Sequence, residues 1–234
     1  MEWTGEALLI GVRRHGESSL IAEAMVAGRG RHLGLVRGGR SSKLAAALQP
    51  GNTVQLTWRA RLEDHLGTFA VELLQPRAAG LIADRGRLYL AQLVCEHLHL
   101  LPERDPHDRL LAMALDLIDR NPDGAALARF ELALLDELGF GLDLASCAAT
   151  GVTADLTHVS PKSGRAVSRA AAEPYKDRLL PLPSFLAARG NASPDDLRAA
   201  FRLTGHFLDM HLWSARRIDP PPTRDPLIDL LTRN

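Results

Sequence analysis

Hydrophobic residues recur at two different periods along this chain of 234 residues, and the change of period divides it. Up to about residue 76 the apolar runs are short. Leu8 to Val12, Leu20 to Val26 and Leu33 to Val36 are separated by Gly- and Ser-containing breaks, as in a β meander. Val54, Leu56 and Trp58 then alternate with Gln55, Thr57 and Arg59, and Phe69, Val71 and Leu73 alternate with Ala70 and Glu72, which is the period of a half-buried sheet. Leu44 to Leu48 interrupts the strands with an alanine-rich turn of helix, closed by Pro50 and Gly51. A small antiparallel sheet must close to hide its edges, so the pattern predicts a five-stranded barrel of OB type.

Beyond Pro76 the period becomes helical, which puts the domain boundary near residues 76 to 84. Leu88, Ala91, Val94, Cys95 and Leu98 mark one amphipathic helix. Leu110, Leu111, Ala114, Leu115 and Ile118 mark another, with Asp105 as its N-cap and Pro106 in the first turn. Leu127, Phe130, Leu134, Leu135 and Leu138 form a third, ended by Gly139. Ser193 caps and Pro194 begins a fourth, which carries Leu197, Ala200, Phe201, Thr204, Phe207, Leu208 and His211. The Pro-rich stretch from Asp219 to Pro226 cannot continue a helix and is expected along the surface. Between the third and fourth helices, Cys147 to Pro183 is polar and rich in turn formers, and reads as neither helix nor regular strand. The expected fold is therefore α+β: an N-terminal OB-type barrel over residues 1–78, then an α-helical domain over 79–234 with an irregular insertion at 147–183.

Composition narrows the function. At 46% hydrophobic content the chain has ample material for a core, yet no run approaches the roughly 20 apolar residues that span a bilayer. The opening MEWTGEALLIGVRR lacks the layout of a secretory leader, and Cys95 and Cys147 are too few for a disulfide framework, so a cytoplasmic protein is expected. Lys and Arg number 28 and so do Asp and Glu, so any polyanion site must be a local patch. Such a patch exists in the sequence. From Arg29 to Lys43 the chain holds Arg29, Arg31, Arg37, Arg40 and Lys43 with no carboxylate and with Gly and Ser between them. Guanidinium forks grip phosphate oxygens, and small residues let a backbone come close. The alternative is a solvated hairpin whose charges serve solubility.

Other chemistry is poorly supported. A structural zinc site needs about four Cys or His ligands, but Cys147 is followed by Thr150 where a paired thiol would stand, and His158 does not complete a set. Cys95 and His99 lie one helical turn apart, with Cys95 on the apolar stripe, where a buried thiol is ordinary core. No GxSxG elbow accompanies His15 and Ser18, His107 with its Asp105 and Asp108 neighbours, or His158. GGRSSK at Gly38 lacks the glycine spacing of a phosphate-binding loop. Trp3, Trp58 and Phe69 are candidates for base stacking, but Trp58 and Phe69 share the phase of their strands' apolar residues and are expected in the core.

The order GEALLIGVRRHGESSLIAEAMV, GRHLGLVRGGRSSK and LQPGN resembles the N-terminal domain of the bacterial RecO recombination mediators. LLDELGFGLDL, CAATG, VSPKSGRAVS and DRLLPLP resemble that family's helical domain and its zinc-module-like insertion. The resemblance covers nearly the full chain. It implies a non-enzymatic role in recombinational DNA repair in the RecF pathway: binding of single- and double-stranded DNA, strand annealing, and work with RecR and the single-strand-binding protein that helps RecA onto DNA. It further implies a cytoplasmic, nucleoid-associated protein with no membrane contact. Some members carry four cysteines in the insertion. Here only Cys147 stands at such a position, with Thr150, Val167 and Ser168 supplying no thiol, so no metal or other cofactor is expected and packing and hydrogen bonds must hold the loop.

An annealing protein has to weaken the repulsion between two phosphate chains without gripping either too tightly, which a moderate basic surface does. Arg13, Arg14, Arg31, Arg37, Arg40 and Lys43 are the expected DNA contacts on the barrel. Lys162, Arg165 and Arg169, with Lys176 and Arg178 beyond them, are expected to continue the path across the insertion. The competing reading is an adaptor whose helical domain docks a partner's acidic tail while the barrel serves as scaffold.

Overall fold

The structure, a computed structural model, describes residues 1–187 and 190–233, with the side chain of Lys43 outside the described part. It forms two compact units, Met1–Asn121 and Pro122–Asn234.

The first unit is built on a closed barrel of β1 (Glu2–His15), β2 (Ser19–Val26), β3 (Gly30–Val36), β4 (Thr53–Arg59) and β5 (Thr68–Gln75), in the order β1-β2-β3-β5-β4. Helix α1 (Ser42–Ala45) lies between β3 and β4 in sequence. All pairings are antiparallel except β3 with β5, which run parallel and share a single residue pair, Leu35 with Thr68. Followed once round the barrel, the pairings run Glu2, Arg59, Thr68, Leu35, Ile21, Arg13, and so return to β1 eleven residues further along. That stagger is what lets five strands close. It also explains why β1 is the longest strand, since its first half serves β4 and its second half β2.

Inside the barrel, Ala7, Leu9, Ala22, Ala24, Val26, Val54, Leu56, Trp58 and Phe69 form the core. Gly34 makes room for Phe69: a Cβ at this position would lie 2.5 Å from the ring. Between Leu9 and Gly11 the β1–β2 register shifts by a bulge. Leu8 and Ile10 are also buried, so β1 is covered on both faces over this stretch. Its second cover comes from the helices that follow.

Strand gives way to helix between Gln75 and Ala78. Helices α2 (Ala78–Ile82), α3 (Arg85–Leu98) and α4 (Asp108–Asp119) belong to the barrel's compact unit, with α3 against β1. Asp84 caps α3 by accepting from Arg87 N at 2.9 Å. The expected cap of α4 is corrected: the helix starts at Asp108 with His107 in the cap position, and the Asp105 carboxylate lies 3.6 Å from His107 Nε2. Asn52, fully buried, fastens the barrel to the helices. Its Oδ1 accepts from Arg77 N at 2.8 Å and Ala78 N at 3.0 Å, while its Nδ2 donates to the carbonyls of Ala46 and Ala47.

The second unit opens with α5 (Gly124–Glu137), capped by Asp123. The insertion that follows is more regular than its sequence suggests. β6 (Leu156–Val159), β7 (Ala166–Ser168) and β8 (Leu180–Pro181) make a small sheet in the order β7-β6-β8, with α6 (Arg169–Ala172) after β7 and α7 (Ser184–Ala187) after β8. Strands this short carry no readable period, which is why they were invisible in the pattern. Cys147, Val167 and Ala172 form its core, with Leu156, Ala171 and Leu179 packed around them. Cys147 N donates to Val152 O at 2.7 Å, and Ser168 N donates to Cys147 Sγ at 3.2 Å. Hydrogen bonds from the Ser168 and Thr150 side chains, with that from Ser168 N, pull the Cys147 thiol down to about 6.

Helix α8 (Pro194–Leu208) begins with the reciprocal Ser193–Asp196 capping box and runs into a π-helical turn, Asp209–Trp213, and α9 (Ser214–Arg216). The Pro-rich end is also corrected. It leads into α10 (Arg224–Leu231), whose Pro226 sits in the first turn where no N–H is needed. Arg224 is buried rather than on the surface: its Nε and Nη2 donate to Glu131 at 2.8 and 2.9 Å, and Nη2 also donates to Phe201 O at 3.0 Å.

Candidate nucleic-acid interface

The strand register decides which of the basic residues meet. Arg14 pairs with Leu20, and Leu20 with Val36, so the end of β1 and the end of β3 lie two strand spacings apart, about 10 Å. Arg37 follows Val36 directly. Arg40 folds back onto the β1–β2 turn, its backbone N donating to Ser18 O at 3.3 Å and its guanidinium to Glu17 O. Arg14, Arg37 and Arg40 are thereby gathered at one rim of the barrel, all exposed, and among the described residues no acidic side chain is paired with Arg14 or Arg37. Lys43 belongs to α1, which follows the same turn, but its side chain lies outside the described residues.

Arg13 and Arg31 part from this group. Successive residues of a strand face opposite ways, and Arg13 turns into a hollow with Glu23 and His99. Arg31 is half-buried: it is paired with Glu23, its Nη2 lies 3.8 Å from Glu103, and its Nε donates to Leu101 O at 2.7 Å. A guanidinium so engaged ties β3 to the chain after α3, and Arg31, expected among the phosphate contacts, stands apart from the rim group. Beside it, His99 has its pKa lowered chiefly by burial, against the opposing pull of Glu23.

In the second unit the expected contacts are exposed but spread. Lys162 sits in the β6–β7 turn, and Arg165 and Arg169 flank the two ends of β7. Arg165 Nε lies 3.3 Å from Asp143 and Arg169 Nε 3.2 Å from Asp155. Exposed pairs of this kind are worth at most about 1 kcal/mol, so either guanidinium can exchange its carboxylate for a phosphate at small cost. Among the described residues no group of three or more His, Cys, Asp or Glu side chains converges on a metal position.

The aromatic residues form a core rather than a platform. Trp58 and Phe69 are 2% and 4% exposed, as their phase predicted. Trp3 stacks on Trp58 at 5.8 Å and is covered by Arg29, whose guanidinium carbon lies 5.0 Å from the ring. One cation near the rim escaped the sequence reading. Arg59 ends β4 beside the same groove as Arg37, with its Nη2 2.9 Å from Glu2. It alternates with Trp58 as any polar strand residue would, and only barrel closure brings it to Arg37. Among the described residues no helix is long and apolar enough to cross a membrane.

Residues 1–77 match the family described as Recombination protein O N terminal, and residues 82–217 the one described as Recombination protein O C terminal. Among curated proteins, the DNA repair protein RecO of Methylobacterium nodulans is 52% identical, over 99% of this chain and 98% of its own length. That of Chelativorans sp. strain BNC1 is 52% identical over 100% of this chain and 97% of its own, and that of Rhizobium etli 53% identical over 97% and 91%. With both domain families matched in order and half the residues identical over nearly full length, the chain belongs to the RecO family.

Proposed function

We propose that this chain is a recombination mediator that works without a catalytic step: it binds single- and double-stranded DNA through the barrel rim, anneals complementary strands, and with RecR and the single-strand-binding protein assists the loading of RecA. Family membership supports a role in recombinational DNA repair. The observation that carries the DNA-binding part is the gathering of Arg14, Arg37 and Arg40 at one rim by the register of β1, β2 and β3, in a chain of zero formal charge. A local cluster of this size attracts phosphates yet releases them as salt rises, which suits a protein that must let strands find each other. Lys162, Arg165 and Arg169 form a secondary contact on the insertion.

Fluorescence anisotropy with labelled DNA across a salt series tests this reading. The wild-type chain binds at low salt, and Arg37→Ala with Arg40→Ala lowers affinity and reduces the salt slope on duplex DNA by about two. Unchanged binding by the double variant at low salt would remove these residues from the site. A protein that served only as an adaptor would show little affinity and almost no slope.

A further inference from the structure

The barrel has one weak seam. β3 and β5 share only the Leu35–Thr68 pair, with Leu35 N donating to Gly67 O at 3.0 Å, and then part. Past this point β3 turns away at Arg37 while β5 runs on through Ala70, so among the described residues the edge of β5 away from β4 has no partner strand beyond Thr68. A groove of ≈ 430 Å³ opens there. Arg37 lines one side and Arg59 the other. Thr57, Thr68, Ala70 and the apolar Leu44 also line it, the Thr57 hydroxyl shared with that of Thr4 at 3.1 Å and the Thr68 hydroxyl donating to Arg59 O at 3.4 Å.

Charge and shape point to one kind of occupant. Two guanidinium groups across a gap favour an anion with oxygens on both sides, and an apolar wall beside hydroxyls favours a flat ring with polar edges. A nucleotide has both. In a duplex the base is stacked and paired, whereas a single strand can turn a base outward into a groove. The strand's path is also bounded: Glu72, two residues beyond Ala70 on the same face of β5, and Glu6, paired with Gln55 of β4, repel phosphate further along.

We propose that this seam seats one nucleotide of a single strand, its base against Leu44 and Ala70 and its flanking phosphates held by Arg37 and Arg59; the proposal rests on the DNA-binding reading above. Glu2 is then a competitor. It holds Arg59 at 2.9 Å on the exposed surface, and an arriving phosphate must displace it.

The test uses the full chain, a labelled oligothymidylate and a duplex of equal length. Ala70 is exposed, so Ala70→Leu fills the groove without entering the core, and an unchanged urea midpoint confirms folding. Oligothymidylate affinity should fall about fivefold or more while duplex affinity stays within about twofold. Glu2→Gln, which frees Arg59, should tighten oligothymidylate binding several-fold and steepen its salt slope by about 0.7. Oligothymidylate binding like wild type by both variants, or an equal loss on both probes with Ala70→Leu, would overturn the seat while leaving the rim intact. If the wild-type chain binds neither probe at low salt, the broader reading falls and the seat with it.

Discussion

Arg77 donates to both carboxylate oxygens of Asp119, from Nε at 2.5 Å and from Nη2 at 3.0 Å, joining the last residues of the barrel to the end of α4. The other guanidinium hydrogen bonds go to Thr53 Oγ1 at 2.5 Å, Gln75 Oε1 at 2.8 Å and Gly51 O at 3.4 Å. The guanidinium is buried and fully used, so it acts as a clamp within the first unit. Arg77's hydrogen bond holds the Asp119 carboxyl below its ordinary value of 3.8. A carboxyl whose pKa is depressed by folding stabilises the fold above its unfolded value and loses that contribution as pH falls through the folded one. Asp119 itself is partly exposed and solvent screens the pair, so Asp119→Asn should cost about 1 kcal/mol at pH 7, and the gap to wild type should narrow as pH falls below 3.8. Urea midpoints of the two proteins across pH check this.

The second unit hangs on a deeper pair. Glu131 is fully buried and Arg224 nearly so, with Thr204 donating to the same carboxylate. Removing one partner leaves a buried charge uncompensated, so Glu131→Ala should destabilise by about 3–5 kcal/mol. Replacing both, Glu131→Leu with Arg224→Met, should recover most of the loss. Urea unfolding of the single and double variants measures the coupling.

Arg31 and Arg14 should separate structure from binding. Arg31→Ala removes contacts to Glu23, Glu103 and Leu101 and is expected to lower stability by about 1–3 kcal/mol with no change of salt slope. Arg14→Ala is expected to do the reverse: stability within about 0.5 kcal/mol, and a duplex salt slope reduced by about one. Thermal melts and anisotropy on the same preparations distinguish them.

Gly30 opens β3 in the left-handed region, at φ +73, with the Asp105 carbonyl oxygen 1.8 Å from where a Cβ would sit. Both the strain and the collision are with backbone, which cannot rotate away. Gly30→Ala should lower the urea midpoint by the equivalent of about 3 kcal/mol or more. Gly28, at φ +68 with nothing within 4 Å of a Cβ, is the control, and its Ala variant should lose far less.

Much of the fold could be read from alternation alone. Val54, Leu56 and Trp58 fall on the core face of β4 as their spacing requires, and Ser193 and Pro194 start α8 where capping chemistry puts them. What escaped was set by distant partners. Nothing near Arg77 foretells Asp119, and nothing near Arg224, which follows three consecutive prolines and a threonine, foretells Glu131. The insertion's strands are too short to show a period. At the rim the residue type was legible but the direction was not: Arg13 and Arg14 are equal in sequence, and only the bulge before Gly11 fixes which of them turns toward the mouth.

A barrel latched on one side by a single rung is a ring with a clasp. Every other neighbour in the ring is stitched by seven or more rungs, so thermal breathing concentrates at the clasp, and the Leu35 amide should trade its hydrogen with solvent well before that of Leu9. The molecule thus owns a place that can part briefly while the remainder stays sewn.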